Sequence, residues 1–173
     1  GGEPRPGEQR IVASATAQNA APSASSASVH VPELKPRVWI RPEKGLVKAG
    51  DIVRVDVMAT NIVGVDSFKF DLGHDSDLLA PAMVSRGSLT VAGKTMLPWE
   101  EGDSRSVPGR IQGIAGHAGG PGRAWGSVAT VYFLSGQYGS AVLSIENLVL
   151  LDASGRAITL PQAPAPCTVQ ISR

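Results

Sequence analysis

The sequence predicts an all-β protein built as an antiparallel sandwich, and three features of the chain indicate it. Apolar and polar residues alternate over 52–61 and again over 67–72, which places the two sets on opposite faces of a strand. Runs of this kind are separated by turns rich in Gly, Pro and Asp. No stretch of the 173 residues repeats its apolar residues with a helical period.

The strands at 52–61 and 67–72 each have one apolar face, which is typical of a half-buried antiparallel sheet. A later run, Ala141–Leu151, begins with the same alternation and then changes parity at Glu146-Asn147, so we expect a β-bulge there. The residues expected in the core are Val53, Val55, Val57, Phe68, Phe70, Leu143 and Ile145.

The remaining strands follow from shorter runs. Ser127–Leu134 is apolar on both faces and is therefore expected to be a central strand. The Gly-rich segment 113–126 is expected to form a long loop between two strands. The other expected strands are Val38–Arg41, Met83–Leu89, Arg110–Ala115 and Cys167–Ile171.

Residues 1–34 differ in composition from the rest of the chain. They are rich in Ala and Ser, carry few large apolar side chains and are expected to be a low-complexity tail or linker. The first ten residues contain no apolar core of a signal peptide, so we expect such a peptide to be absent or already removed. A single folded domain is expected over 35–173.

Composition excludes several functions. A net charge of +1 with scattered Lys and Arg gives no electrostatic case for nucleic acid. No apolar run is long enough to span a bilayer. The single cysteine, Cys167, excludes an intrachain disulfide and a Cys-rich metal site, and we expect it to act as a small buried apolar residue.

Metal sites and cofactors are not expected. The acidic group Asp66, Asp71, Asp75 and Asp77 offers oxygens that calcium prefers, but Asp residues in turns bond their own backbone, which is the favoured interpretation. The histidines His30, His74 and His117 lack the spacing of a zinc motif.

Catalysis is not expected either. The chain has no Gly-x-Ser-x-Gly elbow. Glu100, Glu101 and Asp103 could imitate a glycosidase pair, but adjacent carboxylates on a loop are usually only solvated. The aromatic residues Trp39, Trp99, Trp125 and Tyr138 could form a platform for a sugar, or could instead cover the ends of the core.

Several motifs, taken in order, resemble a cohesin module. They are Lys48–Asp51 (KAGD), Gly64-Val65, His74–Leu79 (HDSDLL), Gly126–Phe133 (GSVATVYF) and Leu143–Ile158. The resemblance implies a jelly-roll sandwich of about nine strands, exported from a bacterium, that binds a protein and does not catalyse. Carbohydrate-binding modules share this architecture, so a carbohydrate is the alternative ligand.

The resemblance also implies a partner surface, because cohesins bind dockerins on one sheet face that includes the strand matching 67–72. The expected partner-binding residues are Ser67, Lys69, Asp71, Gln112, Ile114, Ser144 and Glu146. Ser67 and Lys69 stand where type I cohesins carry Asn and Asp, which makes an ordinary dockerin a doubtful partner. We therefore expect a protein-assembly module in a periplasmic or extracellular setting, including the bacterial envelope.

Overall fold

The computed structural model describes residues 35–91, 94–95, 98–117 and 123–173. The expected tail, residues 1–34, lies outside this range, so its boundary at Lys35 stays a prediction. The described residues contain no helix that is long and apolar enough to cross a membrane. Their strands are β1 (Arg37–Pro42), β2 (Leu46–Lys48), β3 (Ile52–Val63), β4 (Val65–His74), β5 (Leu79–Arg86), β6 (Thr90–Val91), β7 (Lys94–Thr95), β8 (Trp99–Glu100), β9 (Arg110–His117), β10 (Arg123–Ser135), β11 (Gly139–Asp152) and β12 (Cys167–Ser172).

These strands form two six-stranded sheets. Sheet A has the order β1-β3-β10-β6-β7, with β5 also paired to β10, and sheet B has the order β2-β12-β11-β4-β9-β8. All pairings are antiparallel except that of β12 with β2. The predicted antiparallel sandwich is confirmed. Among the described strands, β6, β7 and β8 have two residues each, and the other nine are longer.

The core lies between the two sheets and contains the apolar faces that the alternation predicts. All seven predicted core residues are buried, with exposed fractions of 8% or less. The strand predicted to be central, β10, pairs with β3, β5 and β6. Because the inward side chains of both sheets share one continuous cluster, burial of apolar surface holds the sheets together.

The KAGD turn connects β2 of sheet B to β3 of sheet A, and a buried serine holds it. The hydroxyl of Ser135, at the end of β10, lies 2.9 Å from the carbonyl oxygen of Lys48 and 2.8 Å from that of Asp51. The N–H of Ala49 donates to the carbonyl of Ser172 in β12. This turn therefore ties the ends of strands from both sheets together.

Two predicted boundaries are wrong. The Gly-rich segment 113–126 is not a single loop, because β9 continues to His117 and β10 begins at Arg123. His117 pairs with Ser67, and Arg123 pairs with Val63. Strand pairing uses backbone groups, so glycines without a side-chain pattern can still join a ladder. The strand predicted at Met83–Leu89 instead spans Leu79–Arg86.

Phe70→Ala tests the packing of sheet B against the core. Phe70 is 1% exposed, so its truncation should lower the free energy of unfolding by about 3–5 kcal/mol. Lys69→Ala, on the exposed side of the same strand, should change it by no more than about 0.5 kcal/mol. Urea denaturation of both variants measures this difference, and similar losses in the two would contradict the inward placement of Phe70.

Candidate functional site

The candidate site is the outward surface of β11, β4 and β9 in sheet B, which we call the sheet B face. Lys69 in the middle strand stands opposite Val149 of β11 and Ala115 of β9. Two residues further along β4, Asp71 stands opposite Glu146. The face carries six of the seven expected residues: Ser67, Lys69, Asp71, Gln112, Ser144 and Glu146.

Ile114 does not belong to this face, so its predicted placement is wrong. It is fully buried, with an exposed fraction of 0%. Phe70 pairs with Ile114 and Leu72 with Ile111, so two residues of β9, Gln112 and Gly113, stand opposite one residue of β4. This β-bulge shifts the alternation by one position and turns Ile114 inward. The φ of 73° at Gly113 is one that glycine adopts readily.

A second β-bulge lies in β11 at the predicted position. Glu146 pairs with Asp71 and Val149 pairs with Lys69, so Asn147 and Leu148 together oppose a single residue of β4. Asn147 has a φ of 52°, which asparagine tolerates better than most residues. Beyond the bulge Val149 is 42% exposed on the sheet B face, while Leu148 packs against the core.

One carboxylate connects the two bulges. Oδ1 of Asp71 accepts a hydrogen bond of 2.8 Å from the backbone N–H of Gly113. Its Oδ2 accepts one of 2.8 Å from the side-chain amide of Asn147. Bulged residues lose regular ladder partners, and Asp71 replaces one for the backbone N–H of Gly113, while on the other side of β4 it holds the side chain of Asn147.

An ion-pair network occupies the same half of the face. Arg110 of β9 forms a short ion pair with Glu146 and lies 3.8 Å from Asp71. The hydroxyl of Ser144 donates to Glu146 at 2.8 Å. A Cβ at Gly73 would approach the Glu146 carboxylate to 2.6 Å, so glycine leaves room for this side chain over β4. The charges in this half are therefore largely neutralised within the chain.

The other half of the face is a shallow apolar groove of about 250 Å³. Ala115, Val149 and Leu151 contribute apolar surface to it, and Lys69, Glu100 and His117 also line it. Lys69 is exposed and forms no ion pair with any residue that the structure describes. Nδ1 of His117 lies 3.4 Å from the carboxylate of Asp66.

The acidic residues considered for calcium make separate contacts. Asp71 bridges the bulges, whereas Asp75 accepts the N–H of Asp77 at 3.1 Å within its own turn. Asp66 lies beside His117. Within the described ranges, no three His, Cys, Asp or Glu side chains are arranged to hold a metal ion. The hydrogen bond that Asp75 accepts within its own turn agrees with the interpretation favoured from the sequence, in which turn Asp residues bond their own backbone.

Of the carboxylates considered for glycoside hydrolysis, Asp103 is held by hydrogen bonds within its own turn. Asp103 accepts the N–H of Arg105 at 2.8 Å and the N–H and hydroxyl of Ser106. The hydrogen bond from the Ser106 hydroxyl, followed by those from the two backbone N–H groups, lowers the pKa of Asp103. A general acid needs a raised pKa, so this shift has the wrong direction for that role.

The aromatic residues are not grouped as an open platform. The guanidinium of Arg37 lies 4.4 Å from the ring of Trp39, and that of Arg173 lies 4.3 Å from the ring of Tyr138. Both rings thus have one face covered by a cation. Trp99 packs against the core, and Trp125 is 59% exposed.

His74 and Cys167 are partly buried beside the core. Neither ring nitrogen of His74 has a hydrogen-bond partner among the described residues, and its ring centroid lies 5.2 Å from that of Phe133. Burial lowers the pKa of His74, and the neighbouring Asp75 and Leu79 offset only part of this effect. Burial likewise raises the pKa of the Cys167 thiol, which packs against the core as an apolar group.

The structure is similar to solved cohesin modules at low sequence identity. No protein-family model matches the chain, and no curated protein matches it. A type II cohesin domain from the cellulosome of Acetivibrio cellulolyticus has a TM-score of 0.64 and 15% identity, covering 79% of this chain and 95% of that chain. A non-cellulosomal cohesin from Archaeoglobus fulgidus has a TM-score of 0.60 and 18% identity, covering 81% and 93%.

A third solved structure contains a bound partner. The sixth cohesin from scaffoldin B of Acetivibrio cellulolyticus, in complex with a Cel5 dockerin mutant, has a TM-score of 0.62 and 14% identity. The similarity covers 80% of this chain and 100% of that chain. The fold of the present chain is therefore cohesin-like.

Asp71→Asn tests whether the carboxylate holds both bulges. Asparagine keeps one acceptor but places an NH₂ group against a donor, so the free energy of unfolding should fall by about 1–3 kcal/mol. Hydrogen exchange at the Gly113 amide should quicken. The matched change Asp77→Asn, at an exposed turn residue, should alter stability by no more than about 0.5 kcal/mol. Equal behaviour of the two variants in urea denaturation and amide exchange would contradict the bridging role.

His74 should make stability depend on pH. Its folded-state pKa lies below the ordinary value of 6.5. Above that pH the ring is neutral in both the folded and the unfolded chain, so it does not make the free energy of unfolding depend on pH. As pH falls from 6.5 toward the folded-state pKa, the unfolded chain binds the proton more readily. The free energy of unfolding then falls by up to about 1.4 kcal/mol per pH unit.

Urea denaturation between pH 7.5 and 5 measures this effect. His74→Phe should reduce the fall, because phenylalanine fills the site beside Phe133 without binding a proton. His117→Phe, at an exposed ring, serves as the control and should retain the His74 contribution. An unchanged pH dependence in His74→Phe would show that burial of this ring does not control acid stability.

Proposed function

We propose that the chain is a non-catalytic protein-binding module whose partner, of the dockerin class, docks on the sheet B face. The main support is the arrangement around Lys69, where an exposed cation stands between a neutralised ion-pair network and an open apolar groove. Interfaces between proteins that also exist alone mix apolar and polar surface in this way. The cohesin-like fold supports the same proposal, because a similar cohesin was solved with a dockerin bound.

The two halves of the sheet B face would contribute to partner binding in different ways. Arg110 and Glu146 already satisfy one another, so a partner can cover this half without leaving an unpaired charge behind. The groove beside Val149 can accept an apolar side chain, and its burial would provide affinity. Lys69 favours a partner that brings a carboxylate to the centre of the face.

The dockerin complex of a structural neighbour amends the expectation that a dockerin is a doubtful partner. Ser67 and Lys69 still differ from the Asn and Asp of type I cohesins. A change from Asp to Lys reverses the charge that the partner meets. We therefore propose a dockerin whose surface is acidic where it contacts Lys69. The lysine at this position then changes which dockerin is bound and keeps the class of partner the same.

The proposed setting is an exported assembly, either periplasmic or extracellular, including the bacterial envelope. The cellulosomal origin of one structural neighbour supports an extracellular assembly role. The carbohydrate alternative is not favoured. Solved structures similar to this chain are cohesins, and Arg37 and Arg173 each occupy one face of an aromatic ring considered for a sugar platform.

Lys69→Glu tests the partner surface, with Lys44→Glu as a matched control at another exposed lysine. Isothermal titration calorimetry with the Cel5 dockerin and a panel of dockerins carrying acidic contact surfaces measures the effect. The dockerin that binds the unmodified chain should bind Lys69→Glu at least about tenfold more weakly, equivalent to about 1.4 kcal/mol. Lys44→Glu should bind like the unmodified chain.

A reciprocal change provides a second check. Replacing the facing carboxylate of that dockerin with lysine should restore binding to Lys69→Glu, because the two charges are then exchanged. Binding that is equally strong for Lys69→Glu and the unmodified chain would exclude the sheet B face as the docking surface. Absence of binding by every dockerin in the panel would overturn the proposed partner class.

A further inference from the structure

The edge of β11 away from β4 is only partly covered. β12 pairs with residues 139–143 of β11, ending at Leu143 opposite Cys167. Contact resumes further along, where the N–H of Ile158 donates to the carbonyl of Leu150 and Leu151 bridges Ala157. Between these points, residues 144–146 and Val149 pair with β4 alone among the described strands, and Asn147 and Leu148 form the bulge. Strand edges of this kind accept an added strand.

A groove of about 460 Å³ lies at this open stretch, between β11 and residues 157–164. We call it the β11 edge groove. Leu148, Ile158, Leu160 and Pro164 contribute half-buried apolar surface to it, and none of the residues that line it carries a charge. Its volume is within the range of sites that bury a ligand of modest size. An uncharged lining disfavours a charged occupant, because no lining residue supplies a countercharge to offset the loss of hydration.

The β11 edge groove is continuous with the sheet B face. Val149 lines both this groove and the apolar groove beside Lys69. The bulge at Asn147 is responsible, because it turns Val149 outward at the margin between the two surfaces. A protein that covers the sheet B face therefore reaches the open edge of β11 without crossing any other strand.

From these observations we propose that the β11 edge groove binds an extended, uncharged segment of the docked partner. The segment adds to sheet B beside residues 144–149 and places alternate apolar side chains in the groove. Main-chain hydrogen bonds to the strand edge contribute affinity, and the groove selects apolar side chains at every second position. The identity of the partner rests on the proposed function, whereas the groove can be tested without it.

The test uses the full chain and a synthetic peptide, acetyl-Ala-Val-Thr-Val-Ala-amide, followed by NMR. The peptide should shift the amide signals of residues 144–149 and 157–160. It should also slow solvent exchange of the 144–149 amides by at least about fivefold at saturation. Acetyl-Ala-Lys-Thr-Lys-Ala-amide, which places charges at the same positions, should bind at least about tenfold more weakly.

Two matched variants locate the site. Ala163→Arg places a guanidinium at the rim of the groove and should weaken binding of the valine peptide by at least about tenfold. Ala80→Arg makes the same change at an exposed alanine on β5 of sheet A and should leave binding unchanged. Lys69→Glu should also leave it unchanged, because the peptide does not contact the centre of the sheet B face.

The outcomes separate this proposal from the proposed function. Absence of peptide binding, shifts confined to other strands, or equal effects of Ala163→Arg and Ala80→Arg would each overturn the proposal for the groove. None of these results affects the dockerin titrations, which depend on Lys69. Conversely, a failure of every dockerin to bind would overturn the proposed function without changing the peptide result.

Discussion

The hydrogen bonds of Asp71 set the shape of the sheet B face. Its two carboxylate oxygens bond to Gly113 on one side and Asn147 on the other, and each of these residues belongs to a β-bulge. A bulge inserts an unpaired residue into a ladder and strengthens its twist. The bulge in β9 faces Asp71 and the bulge in β11 faces the neighbouring Phe70, so both bulges lie within reach of the Asp71 carboxylate. A single charged acceptor therefore satisfies a backbone N–H in one bulge and fixes the side chain of Asn147 in the other.

The two bulges also determine which side chains face outward. In β9 the bulge turns Ile114 into the core, and in β11 it turns Val149 outward. The outward Val149 therefore contributes to the apolar groove of the face. In β9, regular alternation would have exposed Ile114, and the bulge places it in the core instead. Arg110 and Glu146 neutralise the opposite half. The result is a surface with a fixed polar half, an apolar half and Lys69 between them.

The edges of sheet B differ in how they are protected. Its two outermost strands, β8 and β2, have two and three residues, and short edge strands offer little for another chain to pair with. The open stretch of β11 lies inside the sheet order, where β12 begins only at Cys167. The segment before Cys167 contains three prolines within residues 161–166, and proline cannot donate to a ladder. This composition accounts for the gap in strand pairing.

Alternation along the chain determined the fold class, the inward placement of Val53 and Phe70, and the bulge in β11, because a change of parity at Glu146-Asn147 is visible in the side chains themselves. The bulge in β9 left no such signal, since Gly113 has no side chain to mark a face, and Ile114 was consequently assigned to the wrong side. The contacts of Asp71 join residues 42 and 76 positions apart. Only the register between strands decides such contacts, since periodicity reports local geometry alone and carries no information on which strands become neighbours.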